Sequence, residues 1–155
     1  MDKIFVVLNP KSGRGSGGRS VEAIRHTMNA ARVPFDLFQT TRPREAIEVA
    51  REAKRAGYNI VAAAGGDGTI NEVVNGLAQA AAPGEPVGPL AILPVGTGND
   101  FATMVGTPPR LGEAVDAIVR SKTAASISAT PRCAPRPASC RATSTTTWGW
   151  ASKRR

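Results

Sequence analysis

Residues 59–80, NIVAAAGGDGTINEVVNGLAQA, read as a strand, a glycine turn and a helix in one unit. Asn59–Ala64 is short and apolar and ends in small residues, as expected of a strand buried on both faces. Gly65–Thr69 is a glycine loop. From Ile70 to Ala80 the apolar positions Ile70, Val73, Val74 and Leu77 recur at helical spacing and predict a buried stripe. Asp67 stands out, because Gly65, Gly66 and Gly68 surround its carboxylate. Beside a phosphate chain it would repel the ligand unless a cation or a hydroxyl donor intervened. That points to Mg²⁺, held directly or through water together with phosphate oxygens. Thr69 and Asn71 can donate hydrogen bonds from the helix start. The plainer alternative is a turn or cap residue.

The same unit recurs on both sides. Ile4–Leu8 is an apolar, β-branched run followed by a glycine-rich loop, Asn9–Gly18 (NPKSGRGSGG). Val21, Ile24, Met28 and Ala31 then recur at helical spacing, with Ser20 as the expected N-cap. Phe35–Gln39 is a second strand, and Arg44–Ala56 a helix with Ile47, Ala50 and Ala53 on one face and Gly57 as its stop. Downstream, Ala82–Pro89 is a Pro/Gly connector and Leu90–Leu93 a fourth strand. Pro94–Asp100 is a third glycine loop, in which Asp100 is placed to cap the short helix Phe101–Val105 while Thr97 and Asn99 stay free to face a ligand. Leu111–Arg120 is a further helix with Leu111, Val115 and Ile118 aligned. Alternating strands and helices predict a three-layer α/β fold, a mainly parallel sheet with helices on both faces.

Each glycine loop directly follows a strand, so the three should gather at the carboxyl edge of the sheet, where such folds bind ligands. Glycines let backbone N–H groups approach an anion, and a helix N-terminus adds a positive dipole end. Three such loops suit a polyphosphate. Gly13, Gly15 and Gly18 also satisfy G-x-G-x-x-G, with Asp36 at about the distance of a ribose-binding acid, which is a dinucleotide reading. It is weakened by Asn9-Pro10-Lys11-Ser12, which separates the strand from the first glycine. A P-loop reading lacks its lysine.

The formal charge of the 155-residue chain is +8, but it is unevenly placed. Residues 1–123 hold 14 Lys/Arg against 12 Asp/Glu, while residues 124–155 hold 6 Lys/Arg and no acid. The basicity is thus mostly a property of the tail, which makes it poor evidence for a nucleic-acid partner; none is expected. No apolar run approaches the ~18–20 residues that span a bilayer, and the few residues before Asn9 are too short for a signal peptide. Cys133 and Cys140 lack the company a zinc site needs, and His26, the sole histidine, falls in a helical pattern. A cytoplasmic protein is the expectation.

Asn9-Pro10-Lys11-Ser12-Gly13, Thr40-Thr41-Arg42-Pro43, Gly65–Gly76 and Pro94–Ala102 together resemble the diacylglycerol kinase catalytic domain family, which includes bacterial lipid kinases and sphingosine kinases. The likeness covers residues 1–122. GGDGT alone is shared with NAD kinases and, loosely, phosphofructokinases; the extended GGDGTINEVVNG and GTGNDFA forms favour the lipid kinases. The resemblance implies a phosphofructokinase-like N-terminal domain and an ATP-dependent kinase that phosphorylates a lipid hydroxyl with Mg²⁺. By motif, Asn9, Pro10, Lys11, Ser12, Gly13, Thr40, Gly65, Gly66, Asp67, Gly68, Thr69, Ile70, Asn71 and Thr97 would contact ATP. Asp67 would organise phosphates and metal. Thr41 competes with Thr40, which the spacing to Ala46 favours. The family's second, β-rich domain supplies the general base and much of the lipid site. This chain would then lack both and turn over little, although the resemblance allows a homodimer and a peripheral position at the membrane when lipid is engaged.

Residues 123–155 depart from that family. Ala, Ser, Thr, Arg and Pro make up 25 of the last 32 residues, and Ile127 is the one aliphatic residue larger than alanine. A disordered basic tail would have this composition. So would out-of-frame translation of a GC-rich gene. Reverse-translating residues 145–154 and reading two bases later permits Asn-Asn-Leu-Gly-Leu-Gly-Phe-Glu-Ala, which fits a family pattern, and the same shift across residues 125–129 permits Ile-Asp-Leu-Gly. A frameshift near residues 123–125 is the expectation, and the gene sequence in the shifted frame tests it.

Two other functions compete with the lipid kinase. An NAD kinase-like enzyme would phosphorylate a soluble dinucleotide without lipid. A non-enzymatic nucleotide-binding fragment would bind and not transfer, and a basic tail with Trp148 and Trp150 could touch an anionic membrane or stack on bases.

Overall fold

The computed structural model describes residues 3–95, 99–120 and 125–127. Five strands and five helices follow one another in the described residues: β1 Ile4–Leu8, α1 Ser12–Ala30, β2 Phe35–Gln39, α2 Glu45–Arg55, β3 Ile60–Gly65, α3 Asp67–Ala80, β4 Gly88–Pro94, α4 Asp100–Met104, α5 Leu111–Arg120 and β5 Ala125–Ile127. The strands form one sheet in the order β2-β1-β3-β4-β5. β1 pairs in parallel with β2 and β3, and β3 with β4. β5 is antiparallel to β4, with Leu90 opposite Ala125 and Gly88 opposite Ile127. The sheet is therefore mainly parallel, and its last strand comes from within residues 123–155.

Strand periodicity divides the core in two. Ile4, Val6 and Leu8 of β1, Ile60, Ala62 and Ala64 of β3, and Ala91 and Leu93 of β4 point to one face. There they meet Ile24 and Met28 of α1 and Ala114 and Val115 of α5. The intervening residues Val7, Val61, Ala63, Leu90 and Ile92 point to the other face, against Ala46, Ala50 and Ala53 of α2 and Ile70, Val73, Val74 and Leu77 of α3. Side chains that alternate across a pleat give this result whenever both faces are covered by helices.

On the second face, α2 and α3 approach closely through small residues. A Cβ on Gly76 would lie 2.2 Å from the Ile47 carbonyl oxygen and 2.9 Å from Ala50 Cβ. The glycine that closes the motif beginning at Gly65 thus serves helix packing. Lys54, near the end of α2, donates to the carbonyls of Pro86 and Val87 at 3.0 and 2.9 Å and pairs with Glu85 at 3.4 Å. These bonds tie the Pro/Gly connector to α2 just before β4 begins.

Three local expectations differ from the structure. The first glycine run is not an open loop: α1 starts at Ser12, well before Ser20, and Ser12 N–H and Oγ both donate to the Asn9 carbonyl, at 3.1 and 2.8 Å. Glycine is a poor helix former, but propensity yields to context, and here the packed stripe of Ile24 and Met28 carries the helix back toward β1. Gly13 has a left-handed backbone, φ +58°. Second, α3 starts at Asp67 rather than Ile70. Third, Asp100 does not cap α4: the N-cap is Asn99, without a side-chain cap bond. The α4 acceptor comes from elsewhere, as described below.

Candidate functional site at the carboxyl edge of the sheet

In a sheet of order β2-β1-β3-β4 the chain reverses its winding direction between β1 and β3. That is the switch point at which open α/β sheets leave a crevice beyond the strand ends. The turn after β1 and the turn after β3 meet there. Asn9 N–H donates to the Ala64 carbonyl at 3.0 Å, and Asn9 Nδ2 donates to Thr69 Oγ1 at 3.2 Å. On the other side of β1, Thr40 N–H and Oγ1 donate to the Leu8 carbonyl at 2.9 and 3.3 Å. The loop after β4 joins through Phe101, whose N–H donates to Asp67 Oδ1 at 3.2 Å. The sequence-predicted residues Asn9–Gly13, Thr40 and Gly65–Asn71 are thus brought to one edge. Thr97 lies outside the described residues, as do Cys133, Cys140, Trp148, Trp150 and the rest of the tail beyond Ile127.

The turn after β3 has the chemistry of an anion cradle. α3 has Gly66 as N-cap and no side-chain cap bond. Its first intrahelical bonds are Thr69 N–H and Ile70 N–H to the Gly66 carbonyl, at 2.9 and 3.2 Å. The N–H groups of Asp67 and Gly68 precede those bonds and belong to the unsatisfied first turn. Asp67 and Gly68 are exposed at the positive end of a 14-residue helix. Gly68 has open space around its Cβ position and no left-handed backbone, so the fold does not require glycine there. Gly65 is different: a Cβ would lie 2.5 Å from Thr69 Oγ1. Glycine at 65 lets Thr69 fold back under the turn and reach Asn9.

The site residues do not all present the same groups. Lys11, Asp67, Gly68 and Asn71 are exposed, and the Lys11 ammonium has no partner among the described residues. Thr40 and Thr69 are buried, and Ile70 is 2% exposed within the core between α3 and the sheet. With its N–H on Gly66, Ile70 offers no group to a ligand. Asn71 accepts from Asn75 Nδ2 on the α3 surface. Thr41, the competitor of Thr40, is taken by Glu45: its N–H and Oγ1 donate to Glu45 Oε2 at 2.5 and 3.1 Å, and Arg42 N–H adds a third bond at 3.3 Å. Those bonds, led by the Thr41 N–H, hold the Glu45 carboxyl below the usual carboxylate range. Sequence reading missed Glu45 because it reaches back one residue further than a standard capping box. It missed the anchoring of Phe101 by Asp67 because no local pattern encodes it.

The dinucleotide reading does not survive. Asp36 lies at the amino end of β2, opposite Phe5, while the glycine turns are at the carboxyl end. Its carboxylate accepts from the Tyr58 hydroxyl and pairs with Lys3 at 2.9 Å. The Tyr58 bond first, and the Lys3 ammonium second, hold it below its ordinary range. An acid already paired at the far end of a strand cannot bind a ribose at the near end.

Among the described residues no group of three or more His, Cys, Asp or Glu side chains is placed to hold a metal, and no helix is long and apolar enough to cross a membrane.

The strand order and the glycine turns at the switch point define a doubly wound α/β domain with its glycine turns gathered at the carboxyl edge of the sheet. The chain belongs to the diacylglycerol kinase catalytic domain family, whose sequence profile matches residues 3–129. It is 36% identical over 118 residues to the Diacylglycerol kinase of Staphylococcus haemolyticus, covering 76% of this chain and 34% of that protein. With the Diacylglycerol kinase of Bacillus subtilis it shares 38% identity over 108 residues, 70% of this chain and 34% of the relative. A crystal structure of a diacylglycerol kinase from Bacillus anthracis superposes with a TM-score of 0.62 at 31% identity, covering 76% of this chain and 39% of that one. The chain therefore spans about a third of the curated relatives' length, and the matched part is its own N-terminal portion.

Proposed function

We propose that this chain is the nucleotide-binding part of an ATP-dependent lipid kinase, which transfers the γ-phosphate of ATP to a lipid hydroxyl at a membrane surface. The observation that carries this reading is the turn after β3: a helix N-terminus without a side-chain cap at the switch point, with Asp67 and Gly68 exposed and an open position at Gly68. Phosphate oxygens would accept from the Asp67 and Gly68 N–H groups, and Lys11 would add a positive charge from the turn after β1. Thr40 and Thr97 would complete the site.

Asp67 suits Mg²⁺ in one particular way. It is a single exposed carboxylate with one oxygen on Phe101, and Mg²⁺ commonly takes one or two carboxylates plus phosphate oxygens and water. Asp67 would hold the ion with the phosphates, and the ion would neutralise charge on the transferring group. During transfer the lipid oxygen forms a bond to the γ-phosphorus, the bond to the β-phosphate oxygen breaks, and ADP leaves. The lipid hydroxyl gives its proton to a general base, expected in the family's second domain along with much of the lipid site. Residues 1–122 would therefore bind nucleotide, and residues 123–155, of which Ala125–Ile127 pair with β4, would carry a frameshifted or disordered tail beyond that strand. Phosphoryl transfer by this chain alone should be slight.

Radiolabelled ATP with mixed lipid vesicles tests this directly, comparing the 155-residue chain with a frame-restored version. The expected result is ATP binding by both and transfer to lipid by the restored version alone. Phosphorylation of a soluble dinucleotide without vesicles would instead support an NAD kinase-like enzyme, and no ATP binding by either version would sink the reading.

A further inference from the structure

Every polar atom of Asn9 is engaged inside the protein. Its N–H donates to the Ala64 carbonyl at 3.0 Å, and its own carbonyl accepts from Ser12 N–H at 3.1 Å and Ser12 Oγ at 2.8 Å. Oδ1 accepts from Lys11 N–H at 3.0 Å, and Nδ2 donates to Thr69 Oγ1 at 3.2 Å. The Lys11 N–H can bond only to the amide oxygen, so the side chain cannot flip, and Nδ2 is obliged to face Thr69. One residue thus joins the end of β1, the first turn of α1, the end of β3 and the first turn of α3.

The polarity of the Asn9–Thr69 bond has a consequence. A hydroxyl carries one proton and two lone pairs. Because Nδ2 donates, Thr69 receives at its oxygen and keeps its proton for another acceptor. Gly65 leaves room for the hydroxyl on the other side, since a Cβ there would lie 2.5 Å from it. We infer that Asn9 is a positioning residue: it sets the gap between the two phosphate-binding turns and the direction in which Thr69 donates, and it acts on nucleotide through Thr69 and the turn at Lys11. The inference rests on the nucleotide reading above and reassigns Asn9 from a contact to a joint.

A double-mutant cycle on Mg·ATP affinity, measured by calorimetry on the 155-residue chain, tests it. Asn9→Ala and Thr69→Val should each weaken binding roughly tenfold, about the worth of one hydrogen bond. The double variant should lose roughly tenfold again in total, not a hundredfold, because both changes break the same link. Asn9→Asp keeps the shape and the acceptor for Lys11, but it turns the Thr69 proton inward; it should bind as weakly as Asn9→Ala while melting like the wild type. Thr69→Ser should bind like the wild type.

Multiplicative losses in the double variant would mean that Asn9 touches nucleotide itself, and they would overturn the inference. So would wild-type affinity in Asn9→Asp. A fall in melting temperature and in the fraction of competent sites, with unchanged affinity in those that remain, would show a structural role only and overturn it as well. If the wild-type chain binds no ATP, the nucleotide reading fails and the inference falls with it. Binding by the wild type with multiplicative losses sinks the inference alone.

Discussion

Asp67 anchors the start of α4: its Oδ1 accepts the Phe101 N–H at 3.2 Å, across 34 residues of sequence. The residue expected to organise metal and phosphate therefore also holds the start of α4 to the turn after β3. Asparagine separates the two roles. Asp67→Asn retains an acceptor for Phe101 and removes the charge, so its melting temperature should match the wild type while Mg²⁺-dependent ATP binding is lost. Asp67→Ala should lose both, with a stability cost of about 1 kcal/mol. Mg²⁺-dependent binding at wild-type strength in Asp67→Asn would refute the metal role.

Gly65 and Gly68 are glycines for different reasons, and alanine tells them apart. At Gly65 a methyl collides with Thr69, so Gly65→Ala should destabilise by about 1–3 kcal/mol in urea titrations. At Gly68 a methyl meets nothing in the protein, and alanine is the better helix former. Gly68→Ala should be at least as stable as the wild type yet bind ATP about tenfold more weakly, because the methyl occupies the space a phosphate would use. Unchanged affinity in Gly68→Ala would count against the cradle.

Gly76 closes the glycine motif without belonging to the site. A Cβ there would sit 2.2 Å from the Ile47 carbonyl oxygen, a backbone atom that cannot rotate away. Gly76→Ala should drive α2 and α3 apart and lower stability by about 3 kcal/mol, the upper end for overpacking. The folded fraction should keep its nucleotide affinity. A urea midpoint equal to wild type would show that the two helices pack more loosely than described.

The Lys3–Asp36–Tyr58 cluster makes stability depend on pH at both ends of the range. The Asp36 carboxyl is held below its unfolded value, chiefly by the Tyr58 hydroxyl and then by Lys3. Its contribution is full above the unfolded carboxylate range, about pH 4, and lost as pH falls through the folded value. Lys3 is raised, first by its bond to Asp36. That contribution is full below the unfolded lysine value, about pH 10, and lost as pH rises through the folded one. Melting curves of the wild type and Asp36→Asn should differ near neutral pH, and the gap should start to close below about pH 4 and vanish once pH has fallen through the lower, folded value. A gap that persists in acid would mean the carboxylate charge is not the cause.

Much of the architecture was legible in advance, since apolar periodicity is a local property. Ile4–Leu8, Phe35–Gln39 and Leu111–Arg120 have the bounds their residue patterns predict. The placement of three glycine turns after three strands already put Asn9, Gly65 and Pro94 on one edge. By its distance along the chain Asp36 reads as a ribose acid; only the strand register, with Asp36 opposite Phe5, and its bonds to Tyr58 and Lys3 show it at the other end of β2 and already paired. The start of α1 was misread because glycine propensity was weighed without the packing of Ile24 and Met28 downstream.

From the order of residues alone follow the alternation of strands and helices, the mainly parallel sheet and the edge where ligand chemistry collects. Those depend on side-chain periodicity and on turn chemistry between neighbours in the chain. The division of labour among the glycines and polar residues needed the folded chain. Gly76 faces Ile47, Asn9 reaches Thr69 across 60 residues, and Asp67 holds Phe101. Each of these is a contact between elements that only the strand order and the helix crossings bring together, and no local pattern carries the distance between them.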